Sequence, residues 1–169
     1  RVAAQQNAPL TEVDFAKLQI TGGDLDAVTF SFDGLDGVRL PLIGSYQPRN
    51  AALAITALRV LRQHGWNIPE SAIRTGLEQV SWPGRFELLR HSPAFVLDGS
   101  HNAHGMRATV QSLKDRFPRQ KFVFLVSIMA DKDVDEMLAL LAPLAERFVT
   151  VTAHNPRAMP AQTLAEHIR

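Results

Sequence analysis

The sequence contains no cysteine among its 169 residues. Disulfide bonds, thiolate catalysis and cysteine-ligated metal centres are therefore excluded, and the absence fits a reducing cytosol. No apolar run approaches the roughly 18 residues that a membrane-spanning helix needs. Residues 1–6 also lack the apolar core of a signal peptide. We therefore expect a cytoplasmic protein with no membrane among its partners.

An excess of charge of one sign is also missing. The 18 lysines and arginines are interspersed with 17 acidic residues, which leaves a net charge of +1. Because nucleic-acid surfaces gather basic residues on one face, we expect no nucleic-acid partner. Hydrophobic residues make up 46% of the chain and charged residues 21%, a composition typical of a folded chain with an ordinary core.

Common nucleotide-binding and hydrolase motifs are absent as well. The chain has no Gly-x-x-x-x-Gly-Lys-Ser/Thr phosphate loop, no Gly-x-Gly-x-x-Gly fingerprint and no Gly-x-Ser-x-Gly turn. It begins at Arg1 without methionine and stops at Arg169 inside an apolar helical pattern that no glycine or asparagine closes. We therefore expect a piece of a longer protein, in which this piece does not bind its ligands by itself.

The first half of the chain predicts antiparallel sheet over residues 1–44, with a hairpin in it, followed by two helices. Residues 28–42 alternate between apolar and polar side chains around a turn rich in aspartate and glycine at 33–37, which indicates a β-hairpin. A helix is expected from Pro48 to a left-handed Gly65, and a second from Pro69 to about Val80. The apolar stripe of the first helix should face the core and contains Leu53, Ala57, Leu58 and Leu61.

The segment Ser-Trp-Pro-Gly-Arg at residues 81–85 interrupts this periodicity and predicts a domain boundary, with domains at 1–83 and 84–169. Beyond it, short apolar strands alternate with helices, as in a mainly parallel sheet covered on both faces. The predicted strands are 94–98, 121–127 and 148–152, and the predicted helices are 103–117, 134–146 and one after Pro160. The fold class is therefore α/β, with three α/β/α layers in the second domain.

A polar loop follows each of these strands, at residues 98–102, 129–133 and 154–157. In open parallel sheets, ligands bind beyond the carboxyl ends of the strands, where the amides of the following helix attract anions. Asp98 stands at that rim. Arg85, in the hinge, is suited to phosphate because its planar guanidinium donates two parallel hydrogen bonds, although a surface ion pair with Glu87 is an alternative.

Other roles for the loop residues stay open. Asn102 and Asp133 are expected to cap helices, Asp133 with Glu136 in capping-box spacing. A metal site at Asp98, His101 and His104 is a weaker alternative, because a strand end and a helix do not place these three side chains on one face.

Four motifs in series resemble bacterial folylpolyglutamate synthases, many of which are also dihydrofolate synthases and which belong to the Mur ligase superfamily. The resemblance covers about residues 40–169, including Leu-Ile-Gly-Ser-Tyr-Gln at 42–47. Tyr46 and Ala103 depart from the histidine and proline that the family often has there. The motifs are Trp-Pro-Gly-Arg-Phe-Glu (82–87), Asp-Gly-Ser-His-Asn (98–102), Ala-Asp-Lys-Asp (130–133) and Asn-Pro-Arg-Ala-Met-Pro (155–160).

The resemblance implies a division of labour between two domains. Residues 1–83 would be the end of the central ATPase domain, and 84–169 most of a truncated, Rossmann-like C-terminal ligase domain. The phosphate loop and the main Mg²⁺ ligands would lie upstream of Arg1, so this chain alone is expected to be inactive and to hold no metal ligand of its own. The complete protein is expected to be a monomer.

The implied reaction transfers phosphate from ATP to a carboxylate of folate or dihydropteroate, after which the amine of L-glutamate forms an amide. Asn50, Arg85 and Asp98 would contact ATP, Arg85 at phosphate and Asp98 at the ribose hydroxyls. His101 and Lys132 are assigned to catalysis, Lys132 on the side that receives the acidic glutamate. The alternatives are a Mur peptidoglycan ligase and a non-catalytic Rossmann-like binding module.

Overall fold

The computed structural model describes residues 1–169 and divides into two compact units, Arg1–Trp82 and Pro83–Arg169. The division falls within the Ser-Trp-Pro-Gly-Arg segment. No helix in either unit combines the length and the apolar character that are needed to cross a membrane.

The first unit contains a three-stranded antiparallel sheet in the order β1-β2-β3, with strands β1 (Leu18–Gly23), β2 (Val28–Phe32) and β3 (Leu35–Leu40). Phe30 pairs with Val38 across the predicted hairpin, and both side chains are fully buried. The hairpin is therefore confirmed. The antiparallel sheet expected over residues 1–44 includes β1, for which no separate strand was predicted, and the short helix α1 (Val2–Gln5) departs from that expectation.

Helices α2 (Gln47–Gln63) and α3 (Glu70–Glu78) follow, and α2 packs on the sheet and on α3. The expected stripe of α2 is wrong in part, because Leu53, Ala57 and Leu61 are exposed, whereas Leu58 packs against the core as predicted. The helix carries apolar residues on two faces, and the buried face is the one with Ala51, Ala52 and Ile55. Gly65 has a φ of +90°, the left-handed conformation predicted for the end of the helix.

The second unit is an α/β arrangement with two pairs of strands. Strands β4 and β5 form an antiparallel pair, and β6 and β7 form a parallel pair. The sequence did not predict β4. In chain order the elements are β4 (Glu87–His91), β5 (Ala94–Leu97), α4 (Ala103–Arg116), β6 (Phe122–Val126), α5 (Val134–Leu141), β7 (Ala145–Thr150) and α6 (Ala161–Ile168).

The helix predicted for residues 134–146 is shorter than expected. It ends at Leu141, a 3₁₀ turn covers Ala142–Leu144, and Glu146 already lies in β7. Pro143 explains the early end, because proline has no N–H to donate and its ring collides with the preceding turn of an α-helix.

The core of the second unit lies between the helices and the parallel pair of strands. Met137 and Leu141 of α5 and Leu164 of α6 are buried there. Strands β5 and β6 are not paired with each other, and both line a cavity of about 260 Å³. Asp98 and Ser100 of the loop after β5 and Thr109 of α4 also line this cavity.

Candidate functional site

The carboxylate of Asp98 joins three segments of the second unit. It directly follows β5 and is half-buried. Its Oδ1 accepts hydrogen bonds from the Ser100 backbone N–H at 3.1 Å and the Thr109 hydroxyl at 2.6 Å. Its Oδ2 accepts the Phe86 backbone N–H at 2.8 Å. One side chain therefore holds the turn before β4, the loop after β5 and helix α4.

Arg85 lies in a tight turn between two residues with left-handed backbone conformations. Gly84 has a φ of +72° and Phe86 a φ of +47°, which is uncommon for a residue with a side chain. The Phe86 ring is buried, and the Glu87 Oε2 atom accepts the Gly84 N–H at 2.7 Å. The structure therefore brings the predicted pair Arg85 and Asp98 into one hydrogen-bonded turn.

Two glycines allow the backbone to approach closely at this turn. The Gly99 N–H donates to the Gly84 carbonyl oxygen at 2.8 Å, and a Cβ atom on Gly99 would lie 3.3 Å from that oxygen. A Cβ atom on Gly105 would lie 3.2 Å from the Ser100 Oγ atom. Side chains at either position would force their neighbours to move.

The start of α4 confirms one predicted cap. Asn102 Oδ1 accepts the Gly105 N–H at 2.8 Å. His101 Nδ1 lies 3.1 Å from the Gly99 carbonyl oxygen, which only accepts, so Nδ1 carries a hydrogen and donates it in this contact. No three histidine, aspartate or glutamate side chains come together as a possible metal site, so the set Asp98, His101 and His104 is not assembled.

Lys132 belongs to a second cluster, formed by the loops after β6 and β7. Its Nζ lies 3.6 Å from Asp131 Oδ2, and Arg157 Nη2 lies 3.2 Å from the same oxygen. Desolvation raises the pKa of Asp131, but its own backbone N–H and the charges of Arg157 and Lys132 outweigh this, so the pKa lies below its ordinary value. The Ala130 N–H, bonded to the Arg157 carbonyl at 2.8 Å, ties the loops together.

Sequence reasoning missed Arg157 and Thr109 as members of these clusters. Arg157 lies in the Asn-Pro-Arg-Ala-Met-Pro motif, which was the available signal. Thr109 carried no such signal, since a threonine in the second turn of a helix is ordinary. The predicted cap at Asp133 is confirmed, because its Oδ1 accepts the Glu136 N–H at 3.1 Å.

Asn50 lies in the first unit, on the first turn of α2. Its side chain is exposed, and its Nδ2 donates to the Oε1 of the buried Gln47 at 3.1 Å. This bond orients the amide and leaves the Asn50 carbonyl oxygen as an acceptor.

Comparison with known proteins extends these observations. The family model for the glutamate ligase domain of Mur ligases matches residues 84–169. The dihydrofolate synthase/folylpolyglutamate synthase of Bacillus subtilis is 34% identical over 130 residues, which cover 76% of this chain and 30% of the relative. The protein of the same description from Mycobacterium tuberculosis is 32% identical over 173 residues, which cover 97% of this chain and 35% of the relative.

Solved structures give the same answer. The Mycobacterium tuberculosis folylpolyglutamate synthase complexed with ADP superposes with a TM-score of 0.83 at 29% identity, covering 98% of this chain and 38% of that one. A bifunctional folylpolyglutamate synthase/dihydrofolate synthase with Mn, AMPPNP and L-glutamate bound gives a TM-score of 0.72 at 28% identity, covering 99% and 39%.

The chain spans about a third of the length of the curated relatives that it matches. The matches confirm the predicted α/β fold class and the resemblance drawn from the motifs. Since the family model covers residues 84–169, half of the chain, the chain belongs to the Mur ligase family and resembles, within it, the folylpolyglutamate synthases.

Proposed function

We propose that this chain is the C-terminal part of an ATP-dependent ligase that joins L-glutamate to a carboxylate of folate or dihydropteroate. The observation that carries the proposal is the turn in which Asp98 accepts the Phe86 N–H beside Arg85. Residues 1–83 are assigned to the end of the central ATPase domain and 84–169 to the C-terminal ligase domain. The named relatives, with ADP or with AMPPNP and L-glutamate bound, support these substrates.

The reaction proceeds in two steps. A carboxylate oxygen of the folate forms a bond to the γ-phosphorus of ATP, and the bond from that phosphorus to ADP breaks. The glutamate amine then attacks the acyl carbon, loses a proton and expels inorganic phosphate, which leaves an amide. Both steps develop negative charge on phosphate oxygens, so cations in fixed positions lower the barriers.

Arg85 supplies one such cation. Its guanidinium stays charged throughout the physiological pH range and offers two parallel donors to a phosphate group. The turn that holds it is fixed by the Gly84 N–H on one side and the Phe86 N–H on the other. A phosphate contact therefore costs little ordering of the backbone.

Asp98 has room for one ribose hydroxyl. A carboxylate offers about four lone-pair positions, and the Asp98 carboxylate already accepts three hydrogen bonds from the protein. The free position accepts one donor from the nucleotide. Asn50, in the other unit, is proposed to contact ATP through the amide that Gln47 orients.

His101 and Lys132 are proposed to act in catalysis. With Nδ1 directed at the Gly99 carbonyl oxygen, the neutral His101 ring offers Nε2 as an acceptor for a hydroxyl or an amine proton. The cluster of Lys132 and Arg157 has two cations against the single carboxylate of Asp131, which leaves a positive charge for an acidic side chain of glutamate.

Mg²⁺ is the cation expected with ATP, but the residues of this chain do not fit as its ligands. Three protein donors occupy acceptor positions of Asp98, the remaining position is assigned to a ribose hydroxyl, and no cluster of acidic or histidine side chains is present. We therefore assign no step to the metal here. A monomeric complete enzyme in the cytoplasm stays a prediction from the sequence.

The test measures ATP-dependent phosphate release by the protein from its complete gene. One reaction contains tetrahydrofolate or dihydropteroate with glutamate, and the other a UDP-muramoyl peptide with its amino acid. Release that requires the folate or pterin and glutamate supports the proposal. Release with the muramoyl acceptor would assign the protein to cell-wall synthesis, and no phosphate release in either reaction would favour a binding module.

A further inference from the structure

We infer that Thr109 of α4 is a positioning residue that orients the Asp98 carboxylate and, through it, the turn that presents Arg85. This inference deepens the proposed function and rests on it for the effect on ATP. Thr109 is 7% exposed, and its hydroxyl lies within hydrogen-bond distance of both Asp98 and Ser100.

The direction of the hydrogen bonds follows from a count of hydrogens. The Thr109 hydroxyl has one hydrogen and lies 2.6 Å from Asp98 Oδ1, against 3.2 Å from the Gly105 carbonyl oxygen. The shorter, charge-assisted bond to the carboxylate takes the hydrogen. The Ser100 Oγ atom, 2.7 Å from Thr109 Oγ1, must therefore donate to Thr109. The Thr109 hydroxyl therefore accepts a hydrogen bond from Ser100 and donates one to Asp98.

This chain of bonds fixes the rotation of the carboxylate. The Thr109 hydroxyl and the Ser100 N–H hold Oδ1, so Oδ2 is directed at the Phe86 N–H. Without the threonine hydroxyl, only the longer 3.1 Å bond from the Ser100 N–H would hold Oδ1. Phe86 has a φ of +47°, and residues in that region keep it only when their surroundings hold them there. A carboxylate of Asp98 that is free to rotate therefore leaves the backbone beside Arg85 less restrained.

Thr109→Val and Thr109→Ser separate this role from simple packing. Valine keeps the shape of threonine and removes the hydroxyl, whereas serine keeps the hydroxyl and removes the methyl group. The matched control is Ser112→Ala on the same helix, because the buried Ser112 hydroxyl donates to the Ala108 carbonyl at 2.8 Å, away from Asp98.

The first measurement is amide hydrogen exchange in the 169-residue chain, resolved by residue. Thr109→Val is expected to raise the exchange rate of the Phe86 amide about tenfold or more, with β6 and β7 unchanged. Thr109→Ser and Ser112→Ala should leave the Phe86 rate within about twofold of wild type. A Phe86 rate unchanged in Thr109→Val, or a rise spread evenly over the whole unit, would overturn the inference.

The second measurement is steady-state kinetics of the enzyme from the complete gene. Thr109→Val is expected to raise KM for ATP about tenfold, the loss of one well-placed hydrogen bond, with KM for glutamate unchanged. Thr109→Ser should restore the wild-type value. If the wild type is active and Thr109→Val has the same KM for ATP, the positioning role is contradicted. If the wild type has no ATP-dependent activity, the proposed function is contradicted, and the exchange result alone decides the role of Thr109.

Discussion

The carboxylate of Asp98 accepts the backbone N–H of Phe86 at 2.8 Å, across 12 positions of sequence. Asp98 directly follows a strand, and Phe86 is the residue after Arg85, so the bond joins the Asp98 carboxylate to the backbone beside Arg85. We therefore expect the effects of substitutions at Asp98 and Arg85 to be non-additive.

Asp98→Ala is expected to destabilise the second unit. The substitution removes the acceptor for the Phe86 N–H, the Ser100 N–H and the Thr109 hydroxyl, and unpaired polar groups that are partly buried cost about 1–3 kcal/mol. Urea unfolding of the 169-residue chain measures the change. Glu166→Gln, which alters an exposed carboxylate of the same unit, is the control and should shift stability by less than about 0.5 kcal/mol. Equal stability of the two variants would contradict the coupling described above.

Arg85 variants are expected to lose turnover in a graded order. In the enzyme from the complete gene, Arg85→Ala should lower kcat/KM for ATP about a hundredfold, which corresponds to a rise in the activation barrier of about 2.7 kcal/mol. Arg85→Lys keeps the charge but loses the two-donor geometry, so it should lie between alanine and wild type. Arg107→Ala removes an exposed arginine paired with Glu136 and should keep wild-type kinetics. Wild-type kinetics in Arg85→Ala would remove it from the ATP site.

Short-range features of the fold were predictable from the sequence because their causes are local. The caps at Asn102 and Asp133 each need one side-chain oxygen and an N–H three residues later, and both bonds form. The hairpin at residues 28–42 follows from alternation and from a turn at Asp33 and Gly34, whose φ angles are +48° and +83°. These signals do not depend on the rest of the chain.

Features that depend on distant partners were not predictable. Helix α2 has two apolar faces, and only the position of the sheet decides that Ile55 is buried while Leu53 is exposed. Strand β1 ends in Gly22 and Gly23, which disfavour strands, and it is held in place by its pairing with β2. The hydroxyl of Thr109 acquires its partner Asp98 only when α4 meets the loop after β5.

Gly99→Ala and Gly76→Ala are expected to change stability with opposite signs. A Cβ atom at Gly99 would lie 3.3 Å from the Gly84 carbonyl oxygen, so the 2.8 Å backbone bond there must lengthen. Overpacking of this kind costs about 1 kcal/mol or more. Gly76 lies inside α3 with open space around its Cβ position, and alanine in a helix gains about 0.5–1 kcal/mol over glycine.

Unfolding of the two glycine variants, followed separately in each unit by hydrogen exchange, measures both changes. Gly99→Ala should act on the second unit and Gly76→Ala on the first. Stabilisation by Gly99→Ala would show that the Gly84 turn yields without cost, which would weaken the case for a rigid Arg85.

The first unit is expected to lose stability in acid through Glu70. Hydrogen bonding to Arg59 lowers the pKa of the Glu70 carboxyl, desolvation opposes this, and the Arg59 charge and Arg62 add to the lowering, so its pKa lies below the ordinary 4.5. Because the folded state favours the ionised carboxylate, the stabilisation is present above the unfolded-state pKa and is lost as pH falls through the lower, folded-state pKa. Glu70→Gln should therefore flatten the decline in stability below about pH 4.5.

Glu78→Gln, which breaks the exposed pair with Arg74, is the matched control and should keep the wild-type slope. Urea midpoints between pH 3 and pH 7 give the comparison, and parallel curves for wild type and Glu70→Gln would mean that the ion pair does not link α2 to α3 energetically.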